Sequence, residues 1–174
     1  KLTENKPLTD EEAKEWERIK ARFDAACKRA YEYKIPILVD AEESWMQTAA
    51  DNLVEEMMEK YNKEEPIVYN TLQMYRHDRL PYLKGLYERA VNKGFYIGVK
   101  IVRGAYMEKE NERAAEQGYP TPICPNKQAT DDNYNAVVRY IIEHIDRIAL
   151  FAGTHNEESA ALIMDLMAKK GLAK

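Results

Sequence analysis

Short apolar segments alternate with longer amphipathic segments along this chain. The amphipathic segments carry apolar residues at helical spacing, and the first of them has a capping box formed by Thr9 and Glu12 and extends to about Tyr33. The apolar segments, which are rich in β-branched residues, predict strands at 37–39, 67–73, 99–102 and 148–151. Because strand and helix alternate four times, the pattern predicts an α/β fold with a parallel sheet and right-handed crossovers.

Polar side chains follow or end each predicted strand. Asp40 comes directly after the first strand, Gln73 ends the second, Arg103 follows the third, and Thr154 and His155 follow the fourth. Since the carboxyl ends of parallel strands lie at one edge of a sheet, these side chains are expected to meet there. The sequence therefore predicts a functional site at that edge.

The third strand carries a lysine, Lys100, between apolar residues. Side chains alternate along a strand, so Lys100 and Arg103 are expected on opposite faces. A buried cation is costly unless an anion meets it, and Asp40 is a candidate partner for Lys100 or Arg103. Gly104 would let the backbone approach a ligand closely. The pattern alone fits equally well an edge strand with solvated charges.

Composition narrows the function classes. The 174 residues suffice for one domain, and a net charge of −4 gives no electrostatic case for binding nucleic acid or an anionic membrane surface. No apolar run approaches the roughly 20 residues that span a bilayer. Cys27 and Cys124 lack metal-type spacing and are expected to be free thiols in a reducing compartment. The chain has neither a GxGxxG nor a GxSxG motif, which argues against Rossmann-type dinucleotide binding and acyl transfer.

Several short motifs, taken in order, resemble those of the proline dehydrogenases. They are Val39-Asp40-Ala41-Glu42, Gln73-Met74-Tyr75, Val99-Lys100-Ile101-Val102-Arg103-Gly104-Ala105-Tyr106 and Thr154-His155-Asn156. The resemblance covers about residues 35 to 172 and is closest to the eukaryotic-like branch, which includes hydroxyproline dehydrogenases.

The resemblance implies a distorted (β/α)8 barrel that binds FAD and oxidises L-proline to Δ1-pyrroline-5-carboxylate by hydride transfer to flavin N5. Electrons would then pass to a quinone or another acceptor. Residues 1–34 would form an N-terminal helical segment and residues 35–174 the central part of the barrel. The compartment would be reducing and intracellular, either the bacterial cytoplasm or the mitochondrion, with the protein at the periphery of a membrane in some members.

The resemblance also implies roles for individual residues. Asp40 would organise the active-site charges, and Lys100 would occupy the cationic position near flavin N5. Gln73 would hydrogen-bond the polar edge of the flavin, and Ala41 would lie against it. Further cofactor contacts would come from Arg103, Gly104, Ala105, Tyr106, Thr154 and His155. No metal is implied.

Two departures from the family pattern bear on function. Many bacterial members carry arginine where this chain has Lys100, and lysine lacks the bidentate fork of arginine. A complete barrel has eight strands, whereas four are predicted here, and the family's early lysine strand and its late arginine pair are absent. We therefore expect a partial barrel with little turnover by itself. Its open edges would either mediate self-association or be covered by the first helix.

Three other functions remain open at this point. The chain could derive from a hydroxyproline dehydrogenase. It could derive from a metal-dependent lyase or aldolase on the same barrel, with Asp40, Glu42 and His155 as ligands. It could also be a non-catalytic interaction module that keeps the motifs but lacks the substrate residues.

Overall fold

Helices and strands alternate in the computed structural model, which describes residues 1–2 and 6–172. In chain order the elements are α1 (Asp10–Tyr33), β1 (Ile37–Val39), α2 (Ser44–Tyr61), β2 (Val68–Gln73), α3 (Arg79–Lys93), β3 (Ile97–Val102), α4 (Met107–Gln117), α5 (Lys127–Glu143), β4 (Ile148–Ala152) and α6 (Glu157–Lys169). The strands form one parallel sheet in the order β1-β2-β3-β4. The predicted α/β class with four parallel strands is confirmed.

The helices pack on one face of the sheet. Along β3, Ile97, Val99 and Ile101 are fully buried, and they share one hydrophobic core with Leu83 of α3 and Tyr134 of α5. Consecutive strands lie side by side and are joined by helices on that same face, which is the arrangement of half a (β/α)8 barrel. This agrees with the predicted partial barrel.

The strand register aligns the polar residues of the other face. Thr71 of β2 is the register partner of Lys100, and Lys100 is the partner of Phe151 in β4. Val39 of β1 pairs with Asn70, so Asp40, the next residue, lies level with Thr71. The sheet therefore places Asp40, Thr71 and Lys100 in one row near its carboxyl edge.

The strand β3 begins earlier than the sequence pattern predicted. It starts at Ile97 rather than at Val99, because Gly98 lies within the strand and does not interrupt it. A Cβ atom at Gly98 would lie 2.6 Å from the ring of Tyr69 and 2.7 Å from the carbonyl oxygen of Val68. Glycine is needed here for close packing between neighbouring strands.

The helix α1 forms as predicted and docks on α2. Thr9 Oγ1 accepts a hydrogen bond from the Glu12 N–H at 3.2 Å, and Glu12 Oε2 accepts one from the Thr9 N–H at 2.8 Å, which completes the capping box. Asp24 of α1 accepts hydrogen bonds from Lys60 at 2.6 Å and from Tyr61 at 2.8 Å. Since α1 is helical, it gives neither edge strand a strand partner.

A buried polar network joins α2, α3 and β2. Arg79 Nη1 lies 2.8 Å from Asp51 Oδ2, and both side chains are at least nine-tenths buried. The other oxygen of Asp51 accepts hydrogen bonds from Gln47 at 2.8 Å and from Asn70 at 2.7 Å. These bonds compensate for the cost of burying the charges and fix the two helices relative to the strand.

Two further observations concern the sequence predictions. Cys27 and Cys124 are both buried and unpaired, as expected for free thiols. Over the described residues, no helix combines the length and apolar character needed to cross a membrane.

The close approach at Gly98 generates a stability prediction. In Gly98→Ala the new methyl group would collide with the backbone of β2, which cannot move without breaking the sheet. We expect the free energy of unfolding to fall by about 2 kcal/mol, within the range for overpacked cores. Chemical denaturation followed by circular dichroism measures it.

The matched control is Gly85→Ala in α3, where the methyl group would meet only the flexible end of Arg89 at 3.1 Å. Alanine is the better helix former, so the free energy of unfolding should rise by up to about 1 kcal/mol. Equal effects of the two substitutions would contradict the packing argument.

Candidate active site

An open cleft of about 530 Å³ lies at the carboxyl edge of the sheet. Its volume is in the range of small-molecule sites. The lining includes all ten residues predicted from the sequence: Asp40, Ala41, Gln73, Lys100, Arg103, Gly104, Ala105, Tyr106, Thr154 and His155. The fold thus assembles the predicted set in one place, although the role of each residue remains a prediction.

A charge pair joins β1 to β3 inside this cleft. Lys100 Nζ lies 2.8 Å from Asp40 Oδ1 and 3.1 Å from Oδ2, and Thr71 Oγ1 donates to Asp40 Oδ1 at 2.6 Å. Partial burial raises the pKa of Asp40, but the hydrogen bonds from Lys100 and Thr71 and the lysine charge outweigh it and hold the pKa below its usual value. Asp40 is therefore an anion at neutral pH, and Lys100 has the partner that its place in an apolar strand requires.

Gln73 offers an unused acceptor in the cleft. The residue is 4% exposed, and its side-chain Nε2 donates to the carbonyl oxygen of Ala41. Its Oε1 is buried and has no hydrogen-bond partner among the described residues. A buried acceptor without a donor costs about 1–3 kcal/mol, and such groups are frequent where a ligand completes the bonding. Gln73 thus lines the cleft with one buried side-chain acceptor unsatisfied.

The Arg103 side chain turns away from Lys100, to the helical side of the sheet. Its Nε lies 2.6 Å from Asp131 Oδ1, its Nη1 donates to Thr154 at 2.8 Å and its Nη2 donates to Ser159 at 3.0 Å. The guanidinium also stacks 4.4 Å from the ring centre of Tyr134. Arg103 thereby ties α5, the loop after β4 and α6 to the end of β3. The predicted opposite orientation of Lys100 and Arg103 is correct.

The backbone at Gly104 approaches its neighbour closely. Gly104 has φ +114°, and a Cβ atom there would lie 2.5 Å from the ring of Tyr75. Burial raises the pKa of Tyr75 to about 12, so its hydroxyl stays protonated near neutral pH. The conformation and the contact both require glycine, and they leave the backbone of residues 104 and 105 bare in the cleft.

Sequence reasoning missed Thr71, which donates to Asp40. The signal was available, because period-two alternation along β2 puts Thr71 on the same face as Gln73. The structure also contradicts the hypothesis of a metal-dependent lyase or aldolase site. Within residues 1–2 and 6–172, no group of three or more His, Cys, Asp and Glu side chains is arranged to hold a metal ion, so Asp40, Glu42 and His155 do not form such a site.

The charge pair generates a prediction about protonation. In Lys100→Met, Asp40 loses its strongest partner while its partial burial remains, so its pKa should rise to its usual value of about 3.9 or above. Carbon-detected NMR of the Asp40 carboxyl across a pH titration measures it. The Asp40–Lys100 pair stabilises the fold fully above the pKa that Asp40 has in the unfolded chain. This stabilisation is lost as the pH falls through the lower pKa that Asp40 has in the folded state. The variant should lack this acid-dependent loss.

Lys60→Met is the matched control, because Lys60 pairs with Asp24 on α1 and not with Asp40. It should leave the Asp40 titration unchanged. An Asp40 pKa that stays low in Lys100→Met would contradict the pairing.

Comparison with known proteins identifies a family for this chain. A family model described as Proline dehydrogenase matches residues 2–174. The chain is 42% identical over 163 residues to the carbapenem antibiotics biosynthesis protein CarD of Pectobacterium carotovorum, covering 93% of this chain and 42% of that protein. It is 35% identical to the human mitochondrial proline dehydrogenase 1, covering 95% of this chain and 28% of that protein.

Solved structures agree on the fold. Proline utilization A (PutA) from Bdellovibrio bacteriovorus, inactivated by N-propargylglycine, superposes with a TM-score of 0.84 at 24% identity and covers 91% of this chain and 17% of that chain. The chain spans less than half the length of these curated relatives. Since the family model matches nearly every residue, this chain belongs to the proline dehydrogenase family.

Proposed function

We propose that this chain supplies part of a flavin site at which a proline dehydrogenase oxidises L-proline to Δ1-pyrroline-5-carboxylate. The observation that carries the proposal is the cleft itself, where the Asp40–Lys100 pair lies beside the unpaired acceptor of Gln73. The mitochondrial relatives from several organisms are proline dehydrogenases by name, which supports the same reaction class. Because the chain covers only part of their length, the reaction is proposed for the full-length protein.

The cleft fits a flavin on chemical grounds. Bound FAD would accept a hydride from the substrate. Gln73 Oε1 is a free buried acceptor for a ring N–H, and Lys100 holds a positive charge that stabilises negative charge developing on a neighbouring ring. Gly104 and Ala105, which carry little side chain, line the cleft where a flat ring system would lie. Asp40 keeps Lys100 in place and limits its motion.

The substrate is proposed to be proline, with hydroxyproline as the alternative that the assay must separate. A quinone is the proposed electron acceptor, in line with the family. The compartment is also proposed from the family resemblance, as a reducing compartment of a bacterial cell or a mitochondrion.

The direct test is proline-dependent reduction of a dye acceptor by the full-length protein, with hydroxyproline in parallel. We expect reduction with proline and loss of at least about tenfold in rate in Lys100→Met, because the variant removes the cation beside the flavin. Full-length protein that carries flavin but reduces the dye with neither substrate would overturn the proposal. The 174 residues alone should turn over little or not at all.

Gln73 gives a binding test that needs no turnover. In Gln73→Ala we expect the dissociation constant for FAD to rise about tenfold or more, as for the loss of one buried hydrogen bond to a ligand. Fluorescence quenching of FAD measures it. Gln128→Ala, an exposed glutamine on α5, is the matched control and should bind FAD as the unchanged chain does.

The open sheet edges generate a further prediction. The edge strands β1 and β4 have no outer strand partner in the described sheet, and Phe151 of β4 is 51% exposed. We expect the 174-residue chain to associate with itself, so that size-exclusion chromatography gives a mass above the monomer's 20.2 kDa that grows with concentration. A sharp monomer peak with little binding of an apolar dye would count against association.

A further inference from the structure

The helix α4 and the residue before it lie across the connection between β1 and α2. Tyr106, Lys109, Glu110 and Arg113 have the spacing i, i+3, i+4 and i+7, so they form one helical face, called here the α4 contact face. The four residues of this face contact four consecutive residues, two at the end of the connection and two at the start of α2, in the same order. The pairs are Tyr106 with Glu42, Lys109 with Glu43, Glu110 with Ser44, and Arg113 with Trp45.

The contacts differ in strength along this face. Lys109 Nζ lies 2.7 Å from Glu43 Oε1, but this lysine is half exposed, so the pair contributes little. Arg113 stacks 4.4 Å from the ring centre of Trp45. The Glu110 carboxylate, by contrast, is fully buried.

Glu110 caps α2 from another helix. Its Oε1 accepts the Ser44 N–H at 2.7 Å, and its Oε2 accepts the Ser44 hydroxyl at 2.5 Å. Glu43, the N-cap residue of α2, makes no side-chain capping bond of its own. An anion at a helix N-terminus is favourable, and a buried carboxylate requires such donors. Glu110 therefore replaces the cap that the local sequence does not provide.

The capped connection carries two cleft residues. Asp40 is held by Lys100 and Thr71, and Ala41 accepts a hydrogen bond from Gln73. These bonds fix the start of the 40–44 connection, and Glu110 fixes its end at Ser44. The segment that carries the Asp40 carboxylate and the Ala41 backbone is thus anchored by hydrogen bonds at both ends.

We propose that Glu110 is a positioning residue, which acts through Ser44 to hold Asp40 and Ala41 in place for the bound flavin. The proposal rests on the proposed function for the identity of the ligand, but its first two readouts need no ligand. It predicts that weakening the contact between Glu110 and Ser44 changes the pKa of the Asp40 carboxyl in the cleft.

The test compares Glu110→Gln with Glu116→Gln, an exposed glutamate on the same helix. The first readout is hydrogen exchange of the Ser44 amide in the 174-residue chain without flavin. We expect exchange to accelerate about tenfold or more in Glu110→Gln, because a hydrogen bond to a charged acceptor is weakened. The second is the pKa of Asp40 by NMR, which should rise towards its usual value. The third is the dissociation constant for FAD, which should rise about fivefold or more.

Glu116→Gln should change none of the three readouts. Unchanged exchange at Ser44 in Glu110→Gln would overturn the proposal. Faster exchange with an unchanged Asp40 pKa and unchanged FAD binding would also overturn it, since Glu110 would then support only α2.

Global destabilisation is detected by exchange of the Val99 and Ile101 amides in β3. If exchange of these amides also accelerates in Glu110→Gln, the variant Ser44→Ala tests the role of Glu110 instead. It keeps the hydrogen bond from the Ser44 backbone to Glu110 and removes only the one from the Ser44 hydroxyl. It should raise the Asp40 pKa and the FAD dissociation constant by less than Glu110→Gln does, and no change in either would overturn the proposal. Absence of FAD binding by the unchanged full-length protein would argue against the proposed function, whereas the Ser44 exchange and the Asp40 pKa would still decide the role of Glu110.

Discussion

The pairing of Lys100 with Asp40 is the constraint on which this structure depends. A lysine in the middle of an apolar strand loses part of its hydration: the Lys100 side chain is 22% exposed, and it meets the Asp40 carboxylate at contact distance. That anion comes from the end of a different strand, two places away in the sheet. The pair therefore requires β1, β2 and β3 to be parallel and in the observed register, with Thr71 of the middle strand bridging to Asp40.

The two faces of the sheet have different roles. The face that carries Ile97, Val99 and Ile101 supplies the hydrophobic core with the helices, whereas the face that carries Lys100 supplies the cleft. Arg103 lies beyond the end of β3 and returns to the helical side, where it ties Asp131, Thr154 and Ser159 together. A few consecutive residues thus serve both the cleft and the packing that holds it.

The sequence was informative wherever the determinant is local. Period-two and period-3.6 patterns identified the strands and helices. The rule that parallel strands end at one edge of a sheet predicted that Asp40, Gln73 and His155 lie in the same cleft, as they do. Apart from the Asp40–Lys100 pair, contacts between distant segments were not accessible in this way. Nothing near Glu110 signals that it meets Ser44, since that contact depends on how α4 packs after the whole sheet has formed. The partners of Arg103 were missed for the same reason, and the third strand was predicted to begin only after Gly98 because the packing of Gly98 against Tyr69 was unknown.

The order of strands in the sheet has a consequence for biosynthesis. Each strand lies beside the one that precedes it in the chain, so every new strand–helix unit finds its docking surface already made. Pairing between such neighbours closes shorter loops than pairing between strands further apart in the chain would, which lowers the entropic cost of each step. A polypeptide emerging from the ribosome can add these units one after another, and the Asp40–Lys100 contact forms only when the third strand has arrived.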